Sequence, residues 1–381
     1  MDSFIPEPHL TFMCHESNGE VETIWDRLNL DLIQKINPNK FESNTLLGQL
    51  NRNKWQSVFE KITPIYEGMT WNKNLDSPQE FTYFPQQFEA NIQSLLTAAS
   101  NFFSKFSNQK IGVQLSGGLD SSIIICLLKE LGIPFYAIGL TSDRYEFRTE
   151  KHIQQMLQSF AKTSILLNYE NHLPFSNLTH LPAFQYPELS ALNFSTEISM
   201  AHACEKLGIT VLLSGDGGDI LLGNAVPDSP NETKWMPQIF GSSWHSDIIY
   251  KPKGIDLIPF FADPKIMDVF FNLRRGQKRD PLKLWARNFL VDFLPPELSE
   301  YSYFADFWGL YISGLTNNLS EINNLIKSVY QFTGISDFHP SKIENIFKIN
   351  LYANNQTNYQ IIQSKVALAV WINSLISNRV I

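Results

Sequence analysis

Cysteine is scarce in this chain: Cys14, Cys126 and Cys204 are the only three among 381 residues. They lie far apart, are odd in number and have no C-x-x-C spacing, which excludes a disulfide framework and a structural zinc site and fits a reducing, cytoplasmic setting. Charge is sparse as well, at 18%, and basic residues are the minority, 30 against 38 acidic, giving a net charge of −8 and a pI near 5.5. No broad basic face is left to hold a phosphate backbone, so no nucleic-acid partner is expected. Long apolar runs are missing too. Nowhere do about 18 apolar residues stand together, as a spanning helix requires, and the opening MDSFIPEPHL lacks the apolar core of a signal peptide. No membrane association is expected. What is present is a 43% apolar and 13% aromatic composition, enough for a sizeable core. At about 150 residues per domain the length suggests two to three domains.

Residues 1–85 are mixed and Asn-rich, with short apolar stretches such as Leu28 to Ile33, and read as a small N-terminal α+β domain. From Phe88 to Phe106 apolar residues fall three and four apart, which predicts an amphipathic helix. Lys110 to Leu115 is a short β-branched run that ends at Ser-Gly-Gly, and Ser121 to Leu131 is apolar and helical. Strands at Phe135 to Leu140 and Thr163 to Leu167 flank a helix at Thr149 to Phe160. A helix at Ser199 to Leu207 then ends at Gly208, before a buried-type strand at Ile209 to Leu213. Strands alternating with helices predict the α/β class with a doubly wound parallel sheet covered on both faces. Beyond residue 255 the chain reads mostly helical, as at Leu282 to Leu294 and Ile361 to Leu375. The expected organisation is therefore a small domain over 1–85 and one large α/β domain with a helical C-terminal part over 86–381.

The chemistry gathers in two glycine loops. Ser116-Gly117-Gly118-Leu119-Asp120-Ser121-Ser122 directly follows a strand and opens a helix. Adjacent glycines let backbone approach an anion, free N–H groups of the turn and helix N-terminus point at it, and serine hydroxyls add donors. A plain strand-to-helix turn with serine caps is the structural alternative, but S-G-G-x-D-S arises by chance at only about one position in a million. The Lys of a G-x-x-x-x-G-K-[ST] loop is absent, so an ordinary kinase or ATPase is not indicated. The second loop, Ser214-Gly215-Asp216-Gly217-Gly218-Asp219, also follows an apolar strand, where ligands of open α/β sheets bind. Asp120 on one loop and Asp219 on the other could share a Mg²⁺ that bridges polyphosphate oxygens.

SGGLDSS, the AIGL strand, SGDGGD and Ile258-Pro259-Phe260-Phe261 with Asp263 together resemble the synthetase domain of the asparagine synthetase family, a member of the PP-loop ATP pyrophosphatases. The resemblance runs over roughly residues 85 to 381. It includes PLKLWARNFLVDFLPPEL, which is similar to that family's K-x-x-x-R helix and Leu-Pro turn, here Lys283, Arg287, Leu294 and Pro295. It implies that ATP is split between the α- and β-phosphates: a carboxylate becomes an acyl-adenylate, pyrophosphate leaves, and an amine closes an amide. It further implies that Leu115, Ser116, Gly117 and Gly118 with Ser121 and Ser122 cradle pyrophosphate. Ile138 would lie at the adenine-binding backbone, Ser214 and Gly215 would contact the nucleotide, and Asp120 and Asp219 would hold Mg²⁺. Asp216 either orients the amine and takes its proton or caps its own loop.

Three departures bear on the substrate. Glutamine-using members begin with a nucleophilic Cys after the initiator Met, whereas position 2 here is Asp2; no ammonia from glutamine is expected, and Cys14 is not placed to replace that Cys. Ile220 stands where an acidic residue usually follows SGDGGD. The stretch Glu300 to Asp306 lacks the Lys that the family places after its Leu-Pro turn, which leaves Lys251, Lys253, Arg274, Arg275, Lys278 and Arg279 as candidate cations. An amine carried by a larger substrate follows, and Phe307 to Leu315 with the ALAVWINSL helix resembles lasso-peptide cyclases. The expected activity is thus a peptide macrolactam synthetase using ATP and Mg²⁺, with biosynthetic partner proteins. Small-molecule ring closure, as in β-lactam synthetases, asparagine formation from ammonia, and a nucleotide-binding scaffold without turnover are the alternatives.

Overall fold

A computed structural model of the chain describes residues 86–144, 150–184, 188–224, 226, 244–300, 308–334, 338–339, 341 and 356–378, together with five short strands before residue 81. Those strands are β1 (Thr11–His15), β2 (Val21–Trp25), β3 (Ile62–Ile65), β4 (Met69–Thr70) and β5 (Gln79–Glu80). β1 pairs antiparallel with β2 and β3, and β4 with β5. Cys14 lies on β1. The remainder of the expected N-terminal domain, Leu28 to Ile33 included, lies outside the described residues.

The chain divides into two compact units: one holds Met1–Phe81, Pro174–Ser195 and Ser313–Ile381, the other Thr82–Leu173 and Thr196–Ile312. The second unit opens on helix α1 (Ile92–Ser104), fixed by a reciprocal cap in which Asn91 Oδ1 accepts from the Ser94 N–H at 3.0 Å and Ser94 Oγ from the Asn91 N–H at 3.3 Å. Its buried Leu95, Ala98, Ala99, Phe102 and Phe103 recur at helical spacing. Then follow β6 (Ile111–Gln114), α2 (Leu119–Glu130), β7 (Tyr136–Thr141), α3 (Lys151–Gln158), β8 (Thr163–Asn168), α4 (Phe194–Leu207) and β9 (Val211–Ser214). A fifth strand, β10 (Asp256–Pro259), precedes α5 (Pro264–Arg274), α6 (Leu284–Phe289), α7 (Pro296–Glu300) and α8 (Trp308–Asn317).

The five strands form one all-parallel sheet in the order β10-β9-β6-β7-β8, flanked by helices. Val211, Leu212 and Leu213 are wholly buried, as expected for strands covered on both faces, whose sequences read as unbroken apolar runs. From β6 the chain winds outward to β7 and β8, then returns to lay β9 on the other side of β6. The order therefore reverses between β6 and β9, and both glycine loops leave the sheet at that point. The α/β reading holds. Beyond residue 255 the described residues are mostly helical, as expected, after β10, a four-residue strand ending in Pro259 that offers no alternation to detect. One local reading does not hold. The helix expected over Leu282 to Leu294 shrinks to Leu284–Phe289, because Lys283 takes φ 54°, ψ 37° and cannot belong to a right-handed helix.

Aromatic packing fixes α1 against the sheet end. Phe260 meets Phe102 edge-on at 5.2 Å, stacks on Phe103 at 5.7 Å and touches Phe261 at 5.2 Å. Phe260 is fully buried, so Phe260→Ala should cost about 3–5 kcal/mol of stability, measured as a lowered urea midpoint.

In the first unit, α9 (Leu319–Thr333) stops at Gly334 with φ 68°. α10 (Gln356–Ser377) buries Trp371, whose indole N–H donates to the Phe184 carbonyl at 2.9 Å. Among the described residues no helix is long and apolar enough to cross a membrane.

Candidate nucleotide site

The first loop is shaped by Gly117, at φ 82°. A Cβ there would lie 2.5 Å from Glu150 Cβ and 2.8 Å from the Glu150 carbonyl, so only glycine lets the loop pass the N-terminus of α3. Ser116 is exposed, and its Oγ accepts from the Gly118 N–H at 3.2 Å and lies 2.9 Å from Ser121 Oγ. Ser121 and Ser122 both donate to the Gly118 carbonyl, at 3.1 and 2.7 Å. Ser122 is fully buried; its hydroxyl caps the turn and is not brought to the loop surface. Leu115 donates its N–H to the Ile138 carbonyl at 2.7 Å. Gln154, fully buried, donates to the carbonyls of Leu115 at 2.9 Å and Leu140 at 2.7 Å. The backbone at Leu115 and Ile138 is thus clamped by β7 and α3.

The second loop presses on the first. A Cβ at Gly215 would sit 3.1 Å from Asp120 Cβ, and one at Gly218 only 2.4 Å from Asp120 Cγ. Ser214 is buried and its hydroxyl donates to Asp216 Oδ2 at 2.9 Å, while Asp216 itself is exposed. Asp219 starts a π-helical turn, Asp219–Gly223, the irregular kind of turn that recurs at functional sites. Side chains brace that turn: Arg274 donates to the Leu221 carbonyl at 2.9 Å, and the Trp285 indole N–H to the Leu222 carbonyl at 2.7 Å.

Between the loops lies an ammonium. Lys283 Nζ is 2.6 and 2.7 Å from the two Asp120 oxygens and 2.6 Å from Asp219 Oδ1. Lys283 is 8% exposed, and its left-handed backbone is what turns the side chain inward at the start of α6. Burial pushes the Asp120 carboxyl upward; Lys283 opposes this, but Asp219 and Asp216 add repulsion, and the balance is a pKa raised to about 6.

Two strand ends, two glycine loops, two carboxylates and one buried cation thus converge where the strand order reverses. Residues 92–246, the stretch from α1 through both loops, match the family model described as asparagine synthase. Over those residues the chain is similar to the asparagine synthases. The match supports an ATP-dependent ligase of the amide-forming kind, joining a carboxylate to an amine or ammonia through a C–N bond. No curated protein matches the chain significantly.

Within the second unit none of the cations expected from the sequence is shown between the loops. Lys251 pairs with Asp247 at 2.8 Å and Lys253 with Glu205 at 2.8 Å. Arg274 braces the π-turn, and Arg275, Lys278 and Arg279 are exposed. The cation between the loops is Lys283, which sequence reasoning placed only within a K-x-x-x-R helix. It stands alone between Leu282 and Leu284, so no basic run marks it, and it lies beyond the matched segment. Gln154 and Glu150 were missed too, since neither belongs to a glycine motif. Asp263 caps α5, accepting from the N–H groups of Lys265 at 2.9 Å and Ile266 at 3.4 Å. Residues 301 to 306 lie outside the described residues.

Mg²⁺ fits the donor set. It is commonly held by one or two carboxylates plus substrate phosphates and water, and here two carboxylates already aim oxygens at one positive centre. Among the described residues no group of three or more His, Cys, Asp or Glu could hold a metal by itself.

Proposed function

We propose that this chain adenylates a carboxylate of a peptide and joins it to an amine of the same peptide, closing a macrolactam. The observation that carries the reading is the convergence of Asp120, Asp219 and Lys283 beside the Ser116–Gly118 loop. A carboxylate oxygen attacks the α-phosphorus of ATP, the bond to the β-phosphate bridging oxygen breaks, and pyrophosphate leaves into the Ser116–Gly118 loop. Asp120 and Asp219 would hold Mg²⁺, which neutralises polyphosphate charge when bound. The amine nitrogen then attacks the acyl carbon, AMP departs, and Asp216, exposed at the edge of the second loop, takes the amine proton.

Two features favour an amine other than glutamine-derived ammonia. Cys126 and Cys204 are buried, with thiols pushed up to about 12 by desolvation, so neither supplies a thiolate nucleophile. The segment Phe307 to Leu315, most of which lies in α8, resembles peptide cyclases.

The test is AMP and pyrophosphate release from ATP and Mg²⁺ with synthetic peptides bearing an Asp or Glu within the chain and a free N-terminus. Dehydrated, exopeptidase-resistant product together with AMP is expected. AMP formed only with free aspartate and ammonia would replace macrolactam closure by asparagine formation; nucleotide binding without AMP on any substrate would point to a scaffold.

A further inference from the structure

We infer that Lys283 is a resident counter-ion that occupies the metal position in the nucleotide-free chain, so that the divalent ion enters together with ATP and not ahead of it. The inference rests on the reading of Asp120 and Asp219 as metal ligands and adds an order of loading to it.

An ammonium has three N–H donors and no acceptor. Lys283 Nζ lies within 2.7 Å of three carboxylate oxygens, two on Asp120 and one on Asp219. Its donors are therefore matched one to one, and the trio has a net charge of −1 instead of the −2 of the bare carboxylates. A Mg²⁺-like ion needs its oxygens at about 2.0–2.1 Å. The ammonium stands among those oxygens, and a divalent ion brought to them would be repelled by it, most strongly on the buried Asp120 side, since the Asp219 side chain is largely exposed.

The backbone supports a deliberate placement. Lys283 is one of three residues other than glycine with positive φ among the described residues. That costly conformation is held by its N–H donating to the Asp280 carbonyl at 3.0 Å, and by its own carbonyl accepting from Ala286 and Arg287 at 3.1 Å. The flexible four-carbon stem lets the ammonium leave the carboxylates and follow the polyphosphate once nucleotide brings its metal. Coupling of this kind is reciprocal: nucleotide raises metal affinity by the factor by which metal raises nucleotide affinity.

Mn²⁺ serves as probe, with the free ion counted by electron paramagnetic resonance during titration of the full chain with and without a non-hydrolysable ATP analogue. Wild type is expected to bind Mn²⁺ weakly alone and far more tightly with the analogue. Lys283→Gln, which stays polar, is one atom shorter and removes the charge, should bind Mn²⁺ alone about ten-fold or more tightly than wild type. Adding Asp219→Asn should return the variant towards wild type. Equal Mn²⁺ affinity of folded Lys283→Gln and wild type without nucleotide would overturn the inference. So would wild type that binds Mn²⁺ equally well with and without the analogue, a result that needs no variant to fold and leaves the nucleotide site standing. A chain that binds no analogue under any condition overturns the proposed function itself.

Discussion

Asp120→Asn should reduce AMP formation from ATP by about three orders of magnitude or more, the scale of losing a central electrostatic contact to a reacting phosphate. Asp120 carries more of the site's geometry than any other side chain: it meets Lys283 through both oxygens, and the Gly215 and Gly218 backbones close over it. The amide keeps that shape, removes the charge and leaves one oxygen to accept from Lys283 in place of two. Since burial already disfavours the charged form of Asp120, and Lys283 retains Asp219 as partner, the variant should keep its circular dichroism spectrum and urea transition. Activity lost from a folded chain is the expected pair of results. Turnover within about ten-fold of wild type would remove Asp120 from the metal-binding role.

Gly218→Ala is the second large effect. Its new Cβ would sit 2.4 Å from Asp120 Cγ and 2.6 Å from Oδ2, so either the second loop must rise or Asp120 must swing away from Lys283. Misplacement of this order costs about a hundred-fold in rate, and overpacking adds about 1–3 kcal/mol of instability. Gly254→Ala is the matched control. Gly254 has a demanding backbone, at φ 70°, where Gly218 has an ordinary one at φ −58°, but open space around its Cβ position, so stability should fall by about 1 kcal/mol with turnover unchanged. Steady-state AMP release and urea melts of the two variants separate loop apposition from a general intolerance of alanine.

The glycine loops were legible as loops because each is local: glycines, serines and an aspartate in sequence, bounded by a strand and, for the first, by a helix. The four strands from β6 to β9 were legible for the same reason, as short apolar runs punctuated by glycine. What escaped is long-range. Lys283 reaches Asp120 across 163 positions only because its backbone turns left-handed in a stretch whose pattern reads as continuous helix. Ser122 looked like a ligand contact by motif, yet its hydroxyl closes back on Gly118, since residues of that first helical turn compete for the same carbonyl. Gln154 gives no motif at all; its value lies in joining the carbonyls of two neighbouring strand ends. The division of the chain into two units was equally invisible, because it gathers segments that are remote in sequence.

The braces beneath the π-turn tie the two ends of the domain into one heritable unit. Asp219 takes its position from carbonyls held by Arg274 and Trp285, 53 and 63 residues beyond their acceptors. Substitutions that shift the helices after β10 would therefore shift Asp219 at the same time. A chimera that sets one member's helical half on another's sheet must carry Arg274 and Trp285 with their carbonyl partners, or it inherits both glycine loops with the second carboxylate out of place.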